Sequence, residues 1–171
     1  MAEEEKLYIV DKNDAVLAVK TRAELTNNDC WRIVSIWITN DQGQILLQKR
    51  QSDKQINPGV WTAATEGTVD YGEDYITAAK RELAEEIDLD SIELKVGKKY
   101  YGKWGNFGSR QCQSYFGIFN GEISDLSLQE DEVAALKWFT LDEIEVMYQI
   151  EPELFPLYTI YEFFGFLRRR Q

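Results

Sequence analysis

The chain has 171 residues, 44% of them hydrophobic and 13% aromatic, which suits one globular domain with its own core and requires no second. Its 19 Lys and Arg against 30 Asp and Glu leave a net charge of −11, which argues against a nucleic-acid polymer as partner; the basic run Arg168-Arg169-Arg170 reads as the dipole-complementing end of a helix. With no His in the sequence, the commonest general base and transition-metal ligand is missing, so any chemistry has to run on carboxylates, Lys, Tyr or Cys.

The N-terminus lacks the basic and apolar segments of a secretory signal, and Cys30 and Cys112 are too few for a disulfide scaffold, so a reduced, cytoplasmic protein is expected. No stretch approaches the roughly 20 apolar residues that span a bilayer, so no membrane association is expected. Residues 6–11 and 16–25 read as two strands around a polar turn, an N-terminal hairpin over about 6–26. Residues 31–40 follow as a strand with Val34, Ile36 and Ile38 on one face, and the turn at Asp41-Gln42-Gly43-Gln44 leads into another at 44–50. Residues 51–72, with Pro58-Gly59, Gly67 and Gly72, read as loop with a brief strand near Trp61. A helix comes next, with Ile76, Ala79, Leu83 and Ile87 as its apolar stripe, Glu73 and Asp74 in its first turn and its end near Asp88. Strands at 92–104 and 111–123 flank the glycine-rich 105–110, and Leu136–Thr140 form a strand before an acidic helix at 141–150. An amphipathic helix over about 152–169 closes the chain. Without a regular βαβ alternation, a mixed sheet with helices on its faces is expected.

The informative feature is a crowd of carboxylates. Glu82, Glu85 and Glu86 span an arc of roughly 100° on the helix, one edge of it against the apolar stripe. Like charges at this spacing cost ~0.2–0.5 kcal/mol per pair, more when partly buried. A solvated acidic face, with Arg81 pairing to Glu85, is one account. A site for Mg²⁺ or Mn²⁺, which take oxygen ligands together with substrate phosphates, is the other.

The wider spacing resembles the Nudix box: Gly67, five residues, Glu73, seven residues, then Arg81-Glu82-Leu83-Ala84-Glu85-Glu86, with Leu89 at the final aliphatic position. Asp88 stands where the family has glycine, a departure that touches the helix end more than the chemistry. The resemblance covers roughly residues 8–155. It implies a single Nudix domain over 1–171, box at 67–89, of α/β/α sandwich type with a mixed β-sheet and the Nudix loop-helix. It also implies Mg²⁺, with Mn²⁺ as substitute, held by Glu82, Glu85 and Glu86 and by the backbone at Glu66-Gly67, the Glu66 carbonyl in particular. Glu82 or Glu86 would handle a proton while Glu73 and Arg81 brace loop and helix. Glu132, six residues before Trp138, matches a downstream metal or base residue of some members, with Glu130 and Asp131 as rivals.

Residues 46–73 also look like the branch that contains type I isopentenyl diphosphate isomerase, where cations at the places of Arg50 and Lys54 hold a diphosphate. Surface cations are the plainer reading of the same pair. Glu66 replaces that enzyme's Cys and Thr68 a following His, which argues against isomerisation. The implied activity is metal-dependent hydrolysis of a diphosphate linkage in a nucleoside diphosphate derivative or related small molecule, by attack of a metal-activated water on phosphorus. The isomerase and a non-catalytic diphosphate-binding module are the alternatives, although binding modules usually lose box carboxylates and this chain keeps them. Trp61, Tyr71, Trp104 and Phe107 are candidates to stack on a base, or else ordinary packing, and residues 98–110 are a candidate flap or an ordinary hairpin turn. Cys112 reads as a small buried hydrophobe. The N-terminal hairpin and C-terminal helix are the candidate surfaces of a homodimer.

Overall fold

The computed structural model describes residues 5–103 and 108–167, with the backbone alone at 166 and 167. Trp104, Phe107, most of the turn of the candidate flap and the Arg168–Arg170 run fall outside the described residues.

Strands β1 (Lys6–Val10) and β2 (Val16–Thr21) form the expected hairpin. The Asp11 carboxylate accepts the Asn13 and Ala15 amides in its turn, and Asp14 takes a left-handed φ of 68°. The second strand is shorter than its pattern suggests. At Arg22–Glu24 the chain enters a 3-10 turn, because the Glu24 carboxylate accepts the Thr21 amide at 2.8 Å and ends the pairing.

Strand β3 (Cys30–Thr39) organises the sheet. Along one side it pairs in parallel with β8 (Ser109–Ile118) over its whole length. Along the other it meets β1 at Trp31, then β6 (Thr65–Thr68), then β4 (Ile45–Arg50) at its far end. Beyond these, β4 pairs with β5 (Trp61–Thr62) and β9 (Val133–Phe139), and β7 (Lys95–Lys103) pairs with β8. Among the described residues this is a nine-stranded sheet. Only the β3–β8 pairing is parallel, so the sheet is mixed as expected. β6 lies inside the stretch read as loop; with Glu66 and Gly67 in four residues it carries little strand signal, and tertiary pairing supplies what propensity does not.

Alternation along β3 divides the core. Val34, Ile36 and Ile38 pack under helix α1 (Tyr75–Ile87) with Ala79, Leu83 and Ile87. Trp37 points the other way, into a cluster with Ile144 of helix α2 (Leu141–Ile150) and Ile160 and Phe163 of helix α3 (Leu157–Leu167). The result is an α/β/α sandwich. Each large aliphatic or Phe side chain buried this way contributes about 1.5–3 kcal/mol.

The helix ends differ from the pattern in two places. α1 starts at Tyr75, with Asp74 as N-cap accepting the Thr77 amide at 2.9 Å, so Glu73 lies ahead of the helix and not in its first turn. Its C-terminal end at Asp88 agrees with the sequence: φ 55° and ψ 42° are left-handed. The closing helix starts at Leu157 instead of 152. Pro152–Leu154 form a separate 3-10 turn, and Pro156 keeps Phe155 extended at φ −130°, ψ 132°. Among the described residues no helix is long and apolar enough to cross a membrane.

Candidate active site

Register places the site. Residues facing each other across an antiparallel pair share a face of the sheet. Val34 faces Gly67, so Gly67 lies on the α1 side; Ser35 faces Glu66, so the Glu66 side chain lies on the α3 side. Both consequences are visible. A Cβ on Gly67 would overlap the Glu82 carboxyl group, so α1 lies this close to β6 because residue 67 has no side chain. Glu66 turns the other way and accepts a hydrogen bond from Tyr158 of α3 at 2.9 Å. Burial, reinforced by the Glu162 carboxylate, pushes the Glu66 carboxyl up to about 8, and its Oε1 is buried without a hydrogen-bond partner among the described residues. Its backbone stays on the strand beside Gly67.

The three carboxylates of the arc have three different environments. Glu86 is buried at 4% exposure and accepts a hydrogen bond from Gln48 of β4 at 3.1 Å; burial first and Glu82 second raise its pKa well above the ordinary value. Glu82 is mostly buried, and burial pushes it up to about 7 against the pull of Arg81. Glu85, by contrast, is 54% exposed. Arg81 links them. Its Nη1 donates to Glu82 at 2.8 Å and to Glu85 at 3.0 Å, while Nε and Nη2 donate to the two oxygens of Glu73 at 2.9 and 3.0 Å. Nη2 also donates to the Thr68 carbonyl at 2.8 Å. The guanidinium therefore ties the loop ahead of α1 to the helix, and it holds Glu73 below the usual carboxylate range.

Arg50, Glu66, Gly67, Glu82, Glu85, Glu86 and Glu132 line one cleft of about 460 Å³. The other predicted substrate contacts do not meet there. Lys54 is tied to Glu132 at 2.6 Å, which commits its charge to a protein carboxylate. Trp61 packs edge-on against Phe139 with ring centroids 5.0 Å apart and belongs to the core under α2 and α3. Tyr71 rests on Tyr8 at 5.0 Å. Cys112 is buried, as its place in a strand suggests. The cleft also holds Glu5, Arg22 and Gln129, and Gln48 stands behind Glu86; none of these was singled out from the sequence. Gln48 carried a weak signal as a polar residue inside an apolar strand. Glu5 and Arg22 are far from the box in sequence and carried none.

The donor set fits a hard divalent cation. Two carboxylates one helical turn apart are both destabilised as anions by burial, which the pull of Arg81 on Glu82 and of Arg50 on Glu86 does not cancel, and oxygen donors are what Mg²⁺ and Mn²⁺ prefer. The cluster is not preassembled. Among the described residues no group of three or more Asp, Glu or Cys side chains converges to metal-binding distance, because Arg81 draws Glu82 and Glu85 toward itself.

The family model described as NUDIX domain matches residues 31–159. An uncharacterized Nudix hydrolase of Listeria innocua is 33% identical over 119 residues, covering 67% of this chain and 66% of that one, so the chain spans about two thirds of that relative's length. The uncharacterized Nudix hydrolase YfcD of Escherichia coli K12 is 28% identical over 147 residues, 84% of this chain and 78% of that protein. The crystal structure of DR0079 from Deinococcus radiodurans superposes with a TM-score of 0.73 at 20% identity, over 86% of this chain and 90% of that one, a likeness of fold.

Proposed function

Because the chain belongs to the Nudix domain family, we propose that it hydrolyses a diphosphate linkage in a nucleoside diphosphate derivative or a related small molecule, with Mg²⁺ as the working cation and Mn²⁺ as a substitute. The observation that carries this reading is the pair of buried carboxylates Glu82 and Glu86 opening on the same cleft as Arg50. Glu82, Glu86, the Glu66 carbonyl and, once released from Arg81, Glu85 would hold the cation. When bound, it neutralises diphosphate oxygens and acidifies water.

The chain's own residues do the rest. Arg50 makes no hydrogen bond or ion pair through its side chain among the described residues, so it is open to a phosphate oxygen, while its charge already acts on Glu66 and Glu86. One carboxylate of the Glu82 and Glu86 pair takes the proton of the attacking water. Arg81 and Glu73 keep the end of β6 and the loop after it against α1, which sets the distance between strand and carboxylates. Glu132, neutralised by Lys54, closes the rim of the cleft.

The test is phosphorus NMR of the protein with a panel of nucleoside diphosphates, nucleotide sugars, dinucleotides and isopentenyl diphosphate, with Mg²⁺ and with chelator. Metal-dependent cleavage of a panel member is expected, falling about 10²–10⁴-fold in Glu86→Gln. Ligand shifts without turnover would instead place the chain among binding modules.

A further inference from the structure

We propose that Arg22, carried on the N-terminal hairpin, is a second phosphate anchor of this cleft, and that Glu5 holds its guanidinium until substrate displaces it. The inference rests on the hydrolase reading and adds to it a residue outside the stretch matched by the family model, which begins at residue 31.

Three arginines line the cleft, and they are differently committed. Arg81 spends its donors on Glu73, Glu82, Glu85 and the Thr68 carbonyl. Arg50 is open. Arg22 donates through Nε and Nη2 to the two oxygens of Glu5, each at 2.6 Å, with a weaker contact from Nη2 to the Thr68 hydroxyl at 3.3 Å. Side chains of Arg22 and Glu5 are 52% and 43% exposed, so the pair is a surface ion pair of small net worth. A phosphate presents the same two-oxygen face to a guanidinium as a carboxylate does, with more charge. Exchanging one for the other costs little and gains a stronger partner.

The placement suggests what is bound. Arg50 exerts its field on Glu66 and Glu86, whereas Arg22 feels Asp70 and Glu82. Glu82 and Glu86 are one helical turn apart, roughly 6 Å along the axis. Arg22 stands at the β6 side of the cleft, its Nη2 3.3 Å from the Thr68 hydroxyl, and Arg50 lies on β4, two residues beyond the Gln48 that bonds Glu86, so a chain of two or three phosphates in the cleft presents an anion to each.

The sign of two substitutions tests this. Mg²⁺-loaded protein is titrated calorimetrically with methylenediphosphonate, which carries a non-hydrolysable diphosphate. Arg22→Gln is expected to weaken binding about tenfold or more, and Glu5→Gln, which frees the guanidinium, to tighten it. A pair that merely fastens the hairpin would instead weaken binding equally in both variants, and that result, or no change in either, overturns the anchor while leaving the hydrolase reading intact. Failure of the unaltered protein to bind the diphosphonate or to cleave any panel compound would overturn both.

Discussion

At Gly67 a single missing Cβ decides where a carboxylate sits. Its backbone is ordinary strand, so an alanine there would not strain φ; the conflict is with the Glu82 carboxyl group, the far end of a flexible side chain. Gly67→Ala is therefore expected to fold, with a melting point lowered by only about 2–4 °C for an overpacking cost near 1 kcal/mol. Turnover is expected to fall about 100-fold because a reacting group is displaced by an ångström or more. Thermal melts beside steady-state rates check this; equal losses in both, or in neither, would contradict it. At this scale the box was the legible part, since its spacing named Gly67, Glu73, Arg81, Glu82, Glu85 and Glu86 together. Contacts from distant segments were not. Nothing near Lys54 predicts that Glu132 would neutralise it, and nothing near Trp61 predicts that Phe139 would take its ring.

Helix α1 shows how one element carries both stability and the site. Its inner stripe of Ala79, Leu83 and Ile87 is buried in the core, and the same rotation that buries it draws Glu86 inward. The stripe and the helix end near Asp88 were readable because periodicity is local, whereas Asp74, read as part of the first turn, is the N-cap ahead of it. β6 was not, because its strand character comes from β3, and the break at Pro156 was hidden by an apolar pattern that ran across it. Asp88 offers the element's own test. It holds a left-handed φ of 55°, turning the chain so that the Leu89 amide reaches the Leu83 carbonyl at 3.1 Å, and it places a negative charge at the negative end of the helix dipole. Asp88→Gly removes both costs and regains some chain entropy cost, for a net stabilisation of about 0.5–1 kcal/mol, or roughly 2–4 °C, at unchanged turnover. Differential scanning calorimetry measures it. A lower melting point would mean that Asp88 makes a favourable contact the geometry does not reveal.

At the scale of the molecule, the hairpin, the sheet and α1 meet at Asp14. It sits in the hairpin turn, and its carboxylate accepts Arg32 of β3 at 2.7 Å, Lys99 of β7 at 2.6 Å and the Tyr75 hydroxyl of α1 at 3.0 Å. Burial works against the charged form, but the hydrogen bonds from Lys99, Arg32 and Tyr75 outweigh it and hold the carboxyl below its ordinary 3.8. A carboxylate depressed by folding contributes stability that is fully present above the unfolded pKa and is lost as pH falls through the folded one. For Asp14 that loss lies below pH ~4, beneath the range where Glu66 and Glu82 take up protons, because burial sets those two at about 8 and 7. The two effects are thus separated by several pH units. Asp14→Asn should cost about 1–3 kcal/mol at pH 7, since three donors lose a charged acceptor. In urea unfolding series from pH 7 to pH 3, the gap between the two proteins should stay constant down to about pH 5 and then narrow. A constant gap to pH 3 would mean that the Asp14 charge contributes nothing and that its contacts act through shape alone. Because Arg22 hangs from the same hairpin, a hairpin loosened by Asp14→Asn should also weaken diphosphonate binding at pH 7, by less than Arg22→Gln does.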